Sequence, residues 1–131
     1  GANLDPANIV WQGIDIPKAI RYLAEHDAIH YVHAKDVRVY DANAEIEGVL
    51  DNKDFGREEE RAWMFRSVGY GHDEDAWRDI ISTLRLVGYD DVMSIEWEDG
   101  LAEPTEGLEK AVNMLQDGIL RKDADVDWVP E

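Results

Sequence analysis

Three side chains that could together bind a metal ion lie far apart in this 131-residue sequence: Asp5, His33 and Glu96. Two carboxylates and an imidazole suit Mn²⁺, Mg²⁺ or Co²⁺ better than a structural zinc, and the sequence has no cysteine to supply thiolate. Spacing alone leaves other interpretations open. His33 could be a strand histidine that bonds to a neighbour, and either acid could cap a following helix.

Each of the three residues stands at the end of a run typical of a β-strand: Asp5 directly follows residues 2–4, and His33 and Glu96 are the last residues of 29–33 and 92–96. Helical patterns begin near Pro17, after the acidic run 73–75, and at Pro104. The alternation of strands and helices predicts parallel strands with helical crossovers, in which ligands bind at the carboxyl ends of the strands. We therefore expect the three side chains to converge. The residues predicted to face the core from the helices are Ala19, Ile20, Leu23 and Ala24, then Trp77, Ile80, Ile81, Leu84 and Val87, and finally Leu108, Ala111, Val112, Leu115 and Ile119.

Two segments fall outside this alternation. Residues 35–72 are too many for an ordinary connection between a strand and a helix, and a long loop at the functional end of a sheet is typically a lid or a substrate-binding loop. Residues 119–131 are acidic and lack a helical period, which predicts a loosely packed tail with Trp128 as its anchor.

Composition excludes several classes of protein. Thirteen Lys and Arg against 30 Asp and Glu give a formal net charge of −17, which argues against binding to nucleic-acid phosphates, including an AP-endonuclease-like role. No apolar run approaches the roughly 18 residues of a membrane span, and no signal-peptide pattern is present. Together with the absence of cysteine, these features predict one domain in the cytoplasm.

Four motifs resemble those of the sugar phosphate isomerase/epimerase family, the xylose isomerase-like TIM barrels. Residues 3–15, NLDPANIVWQGID, are similar to the family's N-x-DPSHL-x-WQGID segment, and residues 30–36, HYVHAKD, to its HVHAKD. Residues 94–99, SIEWED, resemble its SIEHED, and residues 65–71, FRSVGYG, its FRxPGxG loop. The motifs occur in the family's order, with helices of the right kind between them.

The resemblance implies an α/β fold that is part of a TIM (β/α)8 barrel: about three consecutive β/α units, corresponding to units six to eight, which do not close a barrel alone. Residues 1–118 would form these units and residues 119–131 the tail. It also implies a divalent ion held by four residues, three of which fall on Asp5, His33 and Glu96. The fourth, a Glu of the fifth strand, has no counterpart in this sequence.

The activity implied is that of a metal-dependent sugar or keto-sugar isomerase or epimerase acting through an enediolate, with Mn, Mg, Co or Zn as the metal. Glu96 would be both a metal ligand and one member of the acid/base pair, whose partner is the missing Glu. A dehydratase or lyase on the same metal site and a catalytically inert half-barrel that serves in assembly are the alternatives. We expect this chain alone to be a poor catalyst.

Four further residues are predicted to contact a sugar or sugar phosphate. Lys35 and Arg66 could bind a substrate oxygen or phosphate, and Trp11 could face a sugar ring, although an ion pair of Lys35 and packing of Trp11 are equally simple explanations. Asn8 stands where the family usually has His, so a hydrogen bond to substrate can remain but proton transfer cannot. Trp97 replaces the family's His after Glu96.

The expected partners are a second copy of the chain or the missing N-terminal half of the barrel. Three strands leave sheet edges unpaired, and we expect apolar side chains such as Val32 and Ile95 to lie uncovered on the inward face. The negative charge opposes association, so salt should favour it.

Overall fold

The computed structural model describes residues 1–122, so most of the predicted tail, including Trp128, lies outside the described residues. The fold is α/β. The strands are β1 (Ala2–Leu4), β2 (Ile29–Ala34), β3 (Asp36–Val39), β4 (Trp63–Arg66) and β5 (Met93–Ile95). The helices are α1 (Pro6–Val10), α2 (Ile16–Ala24), α3 (Asp41–Glu47), α4 (Glu74–Leu86) and α5 (Pro104–Gly118), with a 3₁₀ turn at Glu58–Glu60.

The predicted parallel sheet is present, with β2 between β1 and β5. Val32 of β2 lies opposite Leu4 of β1 and Met93 of β5, and His33 lies opposite Ser94. Within residues 1–122, β1 and β5 each pair only with β2, so the sheet does not close. The three strands end at the same edge, as the sequence predicts.

The main helices are set by acidic caps and one apolar face each. Asp15 and Asp73 accept hydrogen bonds from the backbone N–H groups of Lys18 and Ala76, which starts α2 and α4. Glu103 caps α5 in the same way through the Glu106 N–H. The helices pack on one face of the sheet, and the core there includes Leu4, Ile20, Val32, Ala34, Trp77, Ile80, Leu84, Ala111 and Leu115.

Two predicted burial assignments are wrong. Val32 is only 1% exposed, because strand alternation directs it toward the helices and directs His33 to the other face. Leu108 is 44% exposed, because α5 turns the positions of Gly107, Ala111 and Leu115 toward the core instead. Ile95 packs against the same core and is partly buried.

The segment 35–72 is more ordered than a lid loop. It contains an antiparallel hairpin in which Asp36 of β3 lies opposite Arg66 of β4 and Val39 lies opposite Trp63, and α3 follows β3 directly. The hairpin packs against α1 and forms a second, smaller core of Ala7, Val37, Ala62, Trp63 and Phe65. No helix within residues 1–122 is long and apolar enough to cross a bilayer.

Candidate metal and substrate site

Asp5 follows β1 directly and has two roles in the structure. It is the N-cap of α1, accepting hydrogen bonds from the backbone N–H of Asn8 at 3.3 Å and from Asn8 Nδ2 at 2.7 Å. Its Oδ2 also lies 3.8 Å from His33 Nδ1. Burial raises the pKa of Asp5 above its usual value, with the Asn8 N–H acting in the opposite direction. Asp5 can therefore cap α1 and also belong to a cluster with His33 and Glu96, called here the three-residue cluster.

His33 is the next-to-last residue of β2, and its ring faces the other two residues through one nitrogen. Nδ1 lies 2.6 Å from Glu96 Oε2, and Nε2 lies 3.3 Å from the side-chain nitrogen of Asn3. The side chain is 24% exposed. The imidazole as a whole is thus partly accessible to solvent.

Glu96 follows β5 and is held in register by a hydrogen bond from its backbone N–H to the carbonyl of Ala34 at 3.2 Å. Its Oε1 accepts a hydrogen bond of 2.9 Å from Lys35 Nζ, which holds the pKa of Glu96 below its usual value. The carboxylate is therefore ionised at neutral pH.

The structure brings Asp5, His33 and Glu96 together: one potential ligand atom from each lies within 4.8 Å of the other two. Carboxylate oxygens and an imidazole nitrogen are donors that divalent cations such as Mn²⁺ and Mg²⁺ accept in proteins. The donor set thus suits the metal that the resemblance implies. That Asp5, His33 and Glu96 bind a metal ion stays a prediction.

Lys35 joins this cluster through ion pairs. Its Nζ lies 2.9 Å from Glu96 Oε1, 2.8 Å from Glu98 Oε2 and 4.1 Å from the centre of the Phe65 ring. Burial lowers the pKa of Lys35, but the hydrogen bonds to Glu98 and Glu96 outweigh that effect and leave the pKa raised. The predicted contact with substrate stays a prediction, whereas the ion pair is observed.

Asn8 lies within α1, and Trp11 is the C-cap of the same helix. Asn8 is exposed and bonds to Asp5, so its amide lies beside the cluster. Trp11 stacks on Trp63 of β4, with ring centres 4.8 Å apart and planes 9° apart, and its Nε1 is buried without a partner in the described residues. Trp11 thus packs α1 against the hairpin. Whether either residue contacts a sugar stays a prediction.

Arg66 is held away from solvent by its own set of partners. Its guanidinium contacts Glu58, the Tyr40 hydroxyl, Asp99 at 3.5 Å and the carbonyl of Phe65 at 3.0 Å. Within residues 1–122, these contacts do not join it to the three-residue cluster. Arg66 lines a separate cavity of about 220 Å³, together with Ser67, Tyr70, Asp99, Leu101, Ala102, Glu106, Gly107 and Lys110.

Sequence reasoning missed two buried carboxylates that hold the segment 67–72. Asp36 is 1% exposed. Asp99 accepts hydrogen bonds from the N–H groups of Ser67 at 2.7 Å and Leu101 at 2.9 Å. Asp36 and Asp99 each end one of the motifs found in the sequence. The glycines of the FRSVGYG motif indicate a turn, whose free backbone N–H groups need acceptors. The donors to Asp36 are the backbone N–H groups of Val37, Gly69, Gly71 and His72 and the side-chain nitrogens Nδ1 of His72 and Nε1 of Trp77, all within 2.8–3.2 Å.

Helices on one face of a parallel sheet, with a cluster of polar side chains at the carboxyl ends of its strands, are features of the α/β class of folds, which includes the α/β barrels. The xylose isomerase-like TIM-barrel family matches residues 1–118 of the chain. The chain belongs to this family, so the resemblance seen in the four motifs is confirmed. It is 36% identical over 119 residues to "Uncharacterized protein YfiH" of Bacillus subtilis (strain 168); the match covers 91% of this chain. The chain spans 37% of the length of that relative.

Proposed function

We propose that this chain is the C-terminal segment of a divalent-metal-dependent sugar or keto-sugar isomerase or epimerase. Asp5, His33 and Glu96 would hold the ion, and residues 1–118 would form units six to eight of the barrel, followed by the acidic tail. The single observation that carries the proposal is the convergence of these three side chains within 4.8 Å at the ends of adjacent parallel strands. A cytoplasmic setting and a sugar or sugar phosphate as ligand belong to the same proposal.

The residues of this chain would divide the chemistry between them. When bound, a divalent ion would polarise a substrate carbonyl and stabilise the negative charge that forms when a neighbouring C–H proton is removed. Glu96, whose pKa the hydrogen bond from Lys35 holds below its usual value, would accept or return that proton at its carboxylate. Asn8, bonded to Asp5, would donate a hydrogen bond to a substrate hydroxyl, since an amide cannot transfer a proton itself.

Two features favour the inert half-barrel as the alternative. β1 and β5 have open edges within residues 1–122, and the cluster offers three ligands where the family resemblance implies four. A chain of this kind could keep inherited ligands without turnover. The dehydratase or lyase alternative uses the same cluster and differs in the fate of the substrate.

The test is a titration of the 131-residue chain with Mn²⁺, in which electron paramagnetic resonance measures the free ion. We expect saturable binding of one ion, lost in His33→Gln and retained in His30→Gln, which changes an exposed histidine of the same strand. The reaction class is then tested in the complete barrel enzyme of which this chain is proposed to be a segment, by measuring deuterium uptake into a ketose in D₂O with Mn²⁺. Equal binding by both variants, or none by the unaltered chain, would contradict the metal site.

A further inference from the structure

The carboxylate of Glu96 is held from two sides. Its Oε2 lies 2.6 Å from His33 Nδ1, whereas its Oε1 lies 2.9 Å from Lys35 Nζ. One oxygen of Glu96 thus faces His33, while the other accepts a hydrogen bond from Lys35. Because Glu96 is 44% exposed, packing alone does not fix the direction of its carboxylate, and its contacts with Lys35 and His33 orient it.

Lys35 is itself fixed on its other sides. Its side chain is only 5% exposed, although the two acids that it binds are 44% and 53% exposed. Glu98 Oε2 lies 2.8 Å from Nζ, and the Phe65 ring lies beneath it at 4.1 Å. An ammonium group with two carboxylate partners and an aromatic face has little surface left for a substrate oxygen.

We propose that Lys35 is a positioning residue, which holds Glu96 so that Oε2 faces Asp5 and His33, and that Glu98 belongs to the same site because it fixes Lys35. This inference rests on the proposed function, since it describes how a metal-binding carboxylate is kept in place. Hydrogen bonds to ligating carboxylates and imidazoles commonly change metal affinity by about 10–100-fold when they are removed.

The sign of the effect separates positioning from simple charge. A lysine ammonium so close to the cluster repels a divalent cation, so charge alone predicts that its removal tightens metal binding. Positioning predicts the reverse, because a free Glu96 must be ordered again each time an ion binds. Lys35→Met therefore gives opposite results under the two explanations.

The experiment compares Mn²⁺ affinity, measured by electron paramagnetic resonance, in the full 131-residue chain and its variants. We expect Lys35→Met to weaken binding by about tenfold or more, Lys35→Arg to keep more of the affinity, and Glu98→Gln to weaken binding by a smaller factor. Lys110→Met is the matched control, because it removes the same charge from an exposed lysine that pairs with Glu106. Circular dichroism establishes that each variant is folded.

A second readout needs no metal. The ring nitrogens of His33, assigned with His33→Gln, are followed by ¹H–¹⁵N spectroscopy in the metal-free chain. We expect Lys35→Met to shift these signals, because Glu96 then no longer holds its place beside Nδ1, and Lys110→Met to leave them unchanged.

Each outcome decides a separate claim. Binding that is unchanged or tighter in folded Lys35→Met overturns the positioning role, and unchanged binding in Glu98→Gln removes Glu98 from the site. If the unaltered chain binds no Mn²⁺, the proposed function is wrong, and the positioning role is then tested by the metal-free spectra alone. An unshifted His33 spectrum in Lys35→Met would overturn that role.

Discussion

Replacement of Asp36 by asparagine should destabilise the protein strongly, although it changes the side chain by one atom. Asp36 is buried, and its two carboxylate oxygens face N–H donors only. An amide has one oxygen, so whichever way the substituted side chain turns, its NH₂ group must face donors. If the amide oxygen faces the larger set of donors, the NH₂ group faces Val37 and His72. The backbone N–H of Val37 then loses its acceptor, whereas Nδ1 of His72 can accept a hydrogen bond from the NH₂ group when it carries no proton.

The expected loss follows from this count. A buried donor without a partner costs about 1–3 kcal/mol, and the remaining hydrogen bonds weaken because the acceptor is no longer charged. Together these effects predict a decrease of about 2–4 kcal/mol in the free energy of unfolding, a large part of the roughly 5–15 kcal/mol typical of small domains. The segment 67–72 should open first, because four of the donors come from it.

Urea unfolding of the 131-residue chain, followed by circular dichroism, measures this loss, and hydrogen exchange of residues 67–72 locates it. Asp90→Asn, the same chemical change at an exposed position, is the control and should alter stability by no more than about 0.5 kcal/mol. A loss below about 1 kcal/mol for Asp36→Asn, with unchanged exchange in that segment, would refute the reasoning.

The pH dependence of stability should carry the His72 contribution. The hydrogen bond to Asp36 raises the pKa of His72, so its stabilising effect is complete below about pH 6.5, the usual value of an unfolded histidine, and is lost as the pH rises through the higher folded-state value. The difference in the free energy of unfolding between the unaltered chain and His72→Gln, measured by urea unfolding, should therefore narrow as the pH rises above about 6.5. His30→Gln is the control, and a difference that does not change with pH would contradict the prediction. Gly71→Ala should cost several kcal/mol in the same assay, because its Cβ would lie 2.3 Å from the carbonyl oxygen of Val37, and a near-neutral result would show that the turn can yield. Sedimentation of the chain should show stronger self-association as salt is raised, because the edges of β1 and β5, which have no further strand partner within residues 1–122, invite pairing that a net charge of −17 opposes. A monomer at every salt concentration would count against it.

The parallel sheet and its helices were predictable because their patterns are local. The strand runs before Asp5, His33 and Glu96 and the apolar spacing of α4 determine both the elements and the edge at which the side chains meet. Residue type alone left helix capping by the acids and a bonded strand histidine as alternatives, and the family resemblance added the expectation of a metal site.

The hairpin and the inner hydrogen-bond network were not predictable in this way. β3 and β4 are four residues each and are separated by residues 40–62, so their pairing depends on contacts distant in sequence. The roles of Asp36 and Lys35 depend on tertiary partners: the first on N–H groups 33–41 residues away, the second on Glu96. Neither partner is visible from local periodicity.

The most direct test of the central claim is a crystal structure of the chain with Mn²⁺, in which anomalous diffraction locates the ion. The account predicts an anomalous peak about 2.0–2.4 Å from a carboxylate oxygen of Asp5, from His33 Nδ1 and from Glu96 Oε2. A peak at other residues, or crystals grown in excess Mn²⁺ that show none at this cluster, would contradict the assignment of a metal site.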